Sequence, residues 1–85
     1  MTFDVNVLLF GPARELVGQD RIRLKAKPVM TTSEVMHQIT EQYPVLKPLA
    51  SHCVLAVGQQ YRHHDERIFL ESSTEIALIP PISGG

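Results

Sequence analysis

Glu75-Ile76-Ala77-Leu78-Ile79-Pro80-Pro81-Ile82-Ser83-Gly84-Gly85 is the stretch whose reading decides the fold. Side chains alternate across a strand, so Ile76 and Leu78 take one face of the segment Glu75 to Ile79, and Ala77 and Ile79 take the other. A strand that is apolar on both faces tends to be central in its sheet. Pro80-Pro81 then ends the strand and favours the extended polyproline conformation, which carries the last residues away from the body. Glycine has no side chain, so other groups can approach its backbone closely. Gly84-Gly85 behind a stiff proline pair therefore reads as an end that is chemically used, rooted on a central strand.

The partners of that strand lie further up the chain. Phe3 to Phe10 is rich in strand formers, with Phe3, Val5, Val7 and Leu9 on one face and Leu8 and Phe10 on the other. Gly11-Pro12 breaks it, and Ala13 to Val17 suits a short helical turn closed by Gly18. Arg21 to Ala26 alternates cleanly with Ile22, Leu24 and Ala26 inward, a hairpin-like return beside the first strand. Thr31 to Tyr43 has the pattern of a helix. Thr31 and Glu34 fit a capping box, Val35, Met36, Ile39 and Tyr43 share one face, and Pro44 stops it. His37 and Glu41 fall on the opposite, solvated side. Cys53 to Val57 reads as a strand turning at Gly58, and residues 59–74 are polar and turn-rich, with apolar stretches at Tyr61 and at Ile68, Phe69 and Leu70. The order fits a mixed sheet packed on one main helix, an α+β roll.

Composition narrows the function classes. At 85 residues the chain has room for one hydrophobic core. Its 44% hydrophobic and 20% charged content is that of a folded domain rather than a disordered one. Eight basic and nine acidic residues leave a formal net charge of −1, which suggests no polyelectrolyte partner. The most basic run, Arg21 to Lys27, alternates with apolar residues as on the wet face of a half-buried strand, so no nucleic acid is expected. Cys53 is the sole cysteine and cannot form an internal disulfide. No signal pattern and no apolar run of about 20 residues is present, so a cytoplasmic protein with no membrane contact is expected.

Both ends of the chain resemble one family. Leu9-Phe10-Gly11-Pro12-Ala13-Arg14-Glu15-Leu16-Val17-Gly18 is similar to the segment after the first strand in the small subunit of molybdopterin synthase. The apolar last strand followed by Pro-Pro, two residues and Gly-Gly is similar to that family's signature terminus. The resemblance covers essentially the whole chain. It implies a ubiquitin-like β-grasp fold, with residues 1–80 as a single domain and 81–85 as an extended reactive C-terminal tail. Two departures bear on local structure. Ser73-Thr74 stands where members commonly have Gly-Asp, and Gly58 where an Asn is often found.

The resemblance also implies a chemistry. In that family an adenylyltransferase similar to the ubiquitin-activating enzyme uses ATP to adenylate the terminal glycine, and sulfur replaces the adenylate to give a thiocarboxylate. Carried over, that glycine is Gly85, with Gly84 and Ser83 lying in a partner's channel. Pro80, Pro81, Ile82, Arg14 and Glu15 are expected to face partners. The large catalytic subunit would accept the tail, in a complex of two small and two large subunits. There the sulfur passes to cyclic pyranopterin monophosphate to build the molybdopterin dithiolene. The isolated chain is expected to catalyse nothing, to bind no metal and to hold no cofactor, since ATP is used by the activating enzyme. Related carriers for thiamine or tRNA thiolation, a ubiquitin-like modifier forming isopeptides, and a pure interaction domain are the alternatives.

Two rival sites read more simply as ordinary structure. Cys53 sits among Val54, Leu55, Ala56 and Val57 with no flanking cation to lower its pKa, which suits an inert core residue. His63-His64-Asp65-Glu66 invites a metal, but adjacent histidines on an extended segment point to opposite sides, and only isolated His37 and His52 lie elsewhere. A solvated turn is expected there.

Overall fold

The structure, a computed structural model, describes residues 1–80. The expectations for Pro81, Ile82, Ser83, Gly84 and Gly85 fall outside the described residues.

Strict alternation makes the first hairpin. β1 (Phe3–Leu9) buries Val5, Val7 and Leu9. A short helix α1 (Gly11–Val17) follows, with proline in its first turn and Gly18 in the left-handed conformation at its end. β2 (Arg21–Ala26) buries Ile22, Leu24 and Ala26 and pairs antiparallel with β1. Next come β3 (Val29–Thr31) and the main helix α2 (Thr32–Gln42). Thr31 caps α2 with a complete capping box. Its hydroxyl accepts from the Glu34 N–H at 3.1 Å, and the Glu34 carboxylate accepts from the Thr31 N–H at 2.8 Å. A 3-10 turn (Pro44–Leu46) and the short helix α3 (Lys47–Ala50) lead to β4 (Val54–Val57), β5 (Gln60–Tyr61), β6 (Arg67–Phe69) and β7 (Glu75–Ile79).

The main sheet has five strands in the order β2-β1-β7-β4-β5. The last strand is thus central, parallel to β1 and antiparallel to β4. Register aligns Val7 with Ile76 and Leu9 with Leu78 on one side, and Leu55 with Leu78 and Val57 with Ile76 on the other. These residues form a single buried cluster with Val35 and Ile39 of α2 and with Leu46 of the 3-10 turn. The α+β roll read from the sequence is this mixed sheet on one main helix.

Three features depart from the sequence reading. A second sheet, β3 with β6, stands apart from the first; it adds Met30 and Ile68 to the core while Val29 and Phe69 stay exposed. Pro44 does end α2, but the chain re-enters helix twice, since proline is tolerated in a first turn where no N–H partner is needed. Cys53 lies before β4, not in it, and is half-buried rather than a core residue.

Both departures from the family pattern are absorbed locally. At Ser73-Thr74 the turn closes without any positive φ. The Thr74 N–H donates to the Glu71 carbonyl, and the Thr74 hydroxyl accepts from the Glu71 N–H, each at 2.9 Å. Gly58 (φ +59°) and Gln59 (φ +67°) make the loop between paired Val57 and Gln60. Positive φ at both central residues is what a type I′ hairpin turn needs, and glycine meets it without strain.

Candidate functional site

The root of the tail is held on both sides. Ile79 aligns with Val54 of β4, Leu78 with Leu9 of β1, and Pro80 is half-buried just beyond. Because β1 and β7 run parallel, the start of α1 comes back to this same end of the sheet. Gly11 has φ +52°, and a Cβ built on it would stand 3.6 Å from Cγ of Pro80, an ordinary contact. Backbone conformation therefore calls for glycine there, while the space beside Pro80 does not. A tail leaving from this point has a fixed origin on the central strand.

Around the root, the sheet face turned away from α2 is apolar. Strand alternation puts Leu8, Ala77, Ala56 and Tyr61 in one row across β1, β7, β4 and β5, with Ile79 and Val54 in the next row. Tyr61 is 75% exposed and Val54 42%, while Leu8, Ala77 and Ile79 are half-buried with no second layer over them among the described residues. Phe10, exposed in extended backbone, continues the parity of Leu8. Uncovered apolar surface of this kind is suited to contact with another molecule.

Of the residues expected to face partners, Pro80 lies at the root, and Arg14 and Glu15 are exposed on α1. Arg14 shares a shallow depression with Gly18, Gln19, Asp20 and Arg21. Cys53 packs at the edge of the core, and burial pushes its thiol pKa up, the opposite of an activated nucleophile.

The histidine turn is a turn, with a structural role that the sequence did not reveal. His37, His63, His64 and Cys53 all line one depression between α2 and β4. Among the described residues, however, no three His, Cys, Asp or Glu side chains are placed to hold a metal ion. Glu66 organises the turn. One carboxylate oxygen accepts from the His63 N–H at 2.8 Å, and the other pairs with Arg62 at 3.0 Å. These contacts, the His63 N–H first and then Arg62, hold its carboxyl below the ordinary carboxylate range. Thr32, the one polar side chain buried among the described residues, clasps the turn to the start of α2. Its hydroxyl donates to the His63 carbonyl and accepts from the Glu66 N–H, both at 2.9 Å. Its own N–H donates to the Glu66 carbonyl at 2.8 Å. No periodic signal marks such a residue, since threonine at a helix start reads as a cap.

No helix in the described residues is long and apolar enough to cross a membrane. Against known proteins, the pattern of the ThiS family matches residues 7–85. The molybdopterin synthase sulfur carrier subunit of Caenorhabditis briggsae is 41% identical, over 95% of this chain and 96% of that one. Two solved structures share the fold. Small archaeal modifier protein 1 from Methanosarcina acetivorans has a TM-score of 0.77 at 25% identity, covering 100% of this chain and 99% of that one. The complex of subunits 1 and 2 of molybdopterin-converting factor from Helicobacter pylori contains a chain with a TM-score of 0.69 at 23% identity, covering 98% of this chain and 100% of that one.

Proposed function

This chain belongs to the ThiS family, and from that premise we propose that it is the sulfur carrier subunit of a molybdopterin synthase, with Gly85 as the reacting residue. The supporting observation is a match that runs to Gly85, together with a central strand that ends at Ile79 and brings Pro80, the last described residue, to one end of the sheet.

A free carboxylate is a poor electrophile because its charge is delocalised. An adenylyltransferase joins the Gly85 carboxylate to the α-phosphate of ATP and releases pyrophosphate. A sulfur nucleophile then attacks the carbonyl carbon of this mixed anhydride. The bond to AMP breaks, AMP departs with the electron pair, and a thiocarboxylate remains. Its negative charge rests largely on sulfur, which is soft and nucleophilic. In the large subunit this sulfur bonds to a carbon of cyclic pyranopterin monophosphate, water breaks the bond between that sulfur and the Gly85 carbonyl so that Gly85 returns to carboxylate, and two such donations complete the dithiolene. The carrier needs no acid, base, metal or bound cofactor of its own.

Each part of the chain has a place in this scheme. Pro80 and Pro81 set the direction of the tail, while Ile82, Ser83 and Gly84 occupy the partner's channel. The apolar outer face around Leu8, Ala77 and Val54 docks on the large subunit, beside Arg14 and Glu15. The work is done in the cytoplasm, in a complex of two carriers and two large subunits.

Intact-mass analysis of protein isolated from cells tests this reading. The expected species has one oxygen replaced by sulfur at the C-terminus. The likeness to a small archaeal modifier favours a second reading, attachment to lysines, and conjugates held by isopeptide bonds would support it. An unmodified terminus in cells that make the cofactor would overturn both.

A further inference from the structure

We propose that the outer side of β2, together with Arg14, forms a basic rail along one margin of the apolar face, and that this rail reads a cluster of carboxylates on the protein surface that accepts the tail. The inference rests on the tail-docking reading above and adds the chemistry of its partner.

The alternation that buries Ile22, Leu24 and Ala26 turns Arg21, Arg23 and Lys25 to the same outer face as Leu8. Register sets Arg21 beside Leu8, Arg23 beside Asn6 and Lys25 beside Asp4. Arg21 therefore ends the cross-sheet row that runs through Leu8 and Ala77. The rail is continuous with the apolar face and not a separate patch.

Its cations are engaged unevenly, and Glu75 shares the row of Arg23 across Asn6. Asp4 sits 3.1 Å from Nζ of Lys25 and 4.0 Å from the Arg23 guanidinium, so the far end is partly neutralised. Arg21 makes no ion pair among the described residues. It shares a depression with Arg14, where Asp20 is the one carboxylate, and Glu15 follows on α1. The Leu9 N–H donates to the Asp20 carbonyl at 2.9 Å, which fixes this depression at the end of β1, where β7 also ends and Pro80 stands.

An edge guard and a nucleic-acid contact would each demand something different of β2. Charged side chains on an edge strand keep it from pairing with another chain, and either sign serves that purpose. Nucleic-acid affinity grows with the number of phosphates that cations neutralise, and Asp4 and Asp20 offset part of this short stretch. A short positive stretch beside an apolar face is suited to steering and orienting an acidic protein surface.

Association kinetics of the full chain with the tail-accepting large subunit, in low and in physiological salt, test the rail. The variants are Arg21→Glu/Arg23→Glu and Arg21→Lys/Arg23→Lys. Charge reversal is expected to slow association roughly tenfold in low salt and to flatten the salt dependence, with the dissociation rate little changed. Near physiological salt the Debye length is about 8 Å, so the two rates should converge. The lysine variant should behave as wild type. Association that is unchanged by reversal, while wild type binds, overturns the rail and leaves the docking reading intact. Wild type that does not associate at all overturns both. Retention on single-stranded RNA that is lost on reversal would assign the rail to phosphates and also overturn the proposal.

Discussion

Thr32→Val separates hydrogen bonding from packing in the clasp between α2 and the histidine turn. Valine matches threonine in shape but leaves the His63 carbonyl and the Glu66 N–H without the partners that both now have at 2.9 Å. Each unsatisfied buried group costs about 1–3 kcal/mol. Both hydrogen bonds are part-buried, so the low end applies and the sum is about 2 kcal/mol. For a domain of this size, 1 kcal/mol moves the melting temperature by roughly 4–8 °C, so a fall of roughly 8–16 °C is expected. Thr32→Ser keeps the hydroxyl and loses one methyl, which costs about 1 kcal/mol. Thermal unfolding of both variants reads the order directly, and hydrogen exchange at the Glu66 amide should accelerate in the valine variant. If Thr32→Val equalled or exceeded wild type while Thr32→Ser fell, burial alone would hold the clasp and the hydrogen-bond reasoning would be wrong.

Cys53→Ser should fold and carry sulfur at the wild-type rate, because the half-buried thiol with its raised pKa takes no part; abolished transfer in a folded variant would refute this. Val54→Asp places a carboxylate beside Ile79 on the apolar face and should weaken binding to the large subunit at least about tenfold, read by calorimetry, because that charge must be desolvated on docking. Glu66 has a carboxyl held below its ordinary range, so it stabilises the fold above its unfolded pKa and loses that contribution as pH falls through its lower folded value. Melting temperature followed downward from about pH 6 should therefore drop more steeply in wild type than in Glu66→Gln, in the region below about pH 4, and parallel curves would contradict the assignment.

Much of this molecule is legible in its sequence because its main elements are amphipathic with clean periods. β2 alternates without exception, so its inward set is plain. Thr31 and Glu34 announce α2 through side chains alone. The apolar character of both faces of β7 marks its central position, the key to where the tail begins. Short elements escape notice where no period can develop. β3 and β6 have three residues each, too few to alternate, and α3 begins after a proline that reads as a stop. The candidate site is visible in the sequence as a motif but not as a surface. Arg21 reads there as one more charge on a wet strand, and only the register with Leu8 shows that it borders the apolar face. Glu66 and Thr32 stay hidden because they act across a separation of 34 residues.

The most direct test of the central claim is thiocarboxylate formation on a chain carrying one extra residue after Gly85. One fully extended residue spans about 3.5 Å, so removing or adding one can shift the reacting end by up to about that much, and a misplacement of about 1 Å can cost a hundredfold in rate. Extension also leaves Gly85 with no free carboxylate. Intact mass after incubation with the activating enzyme, ATP and a sulfur source should show sulfur on wild type and none on the extended chain, with equal melting temperatures. An extended chain that mass shows to be unprocessed, yet that still gains sulfur and donates it at the wild-type rate, would contradict the terminal-glycine mechanism.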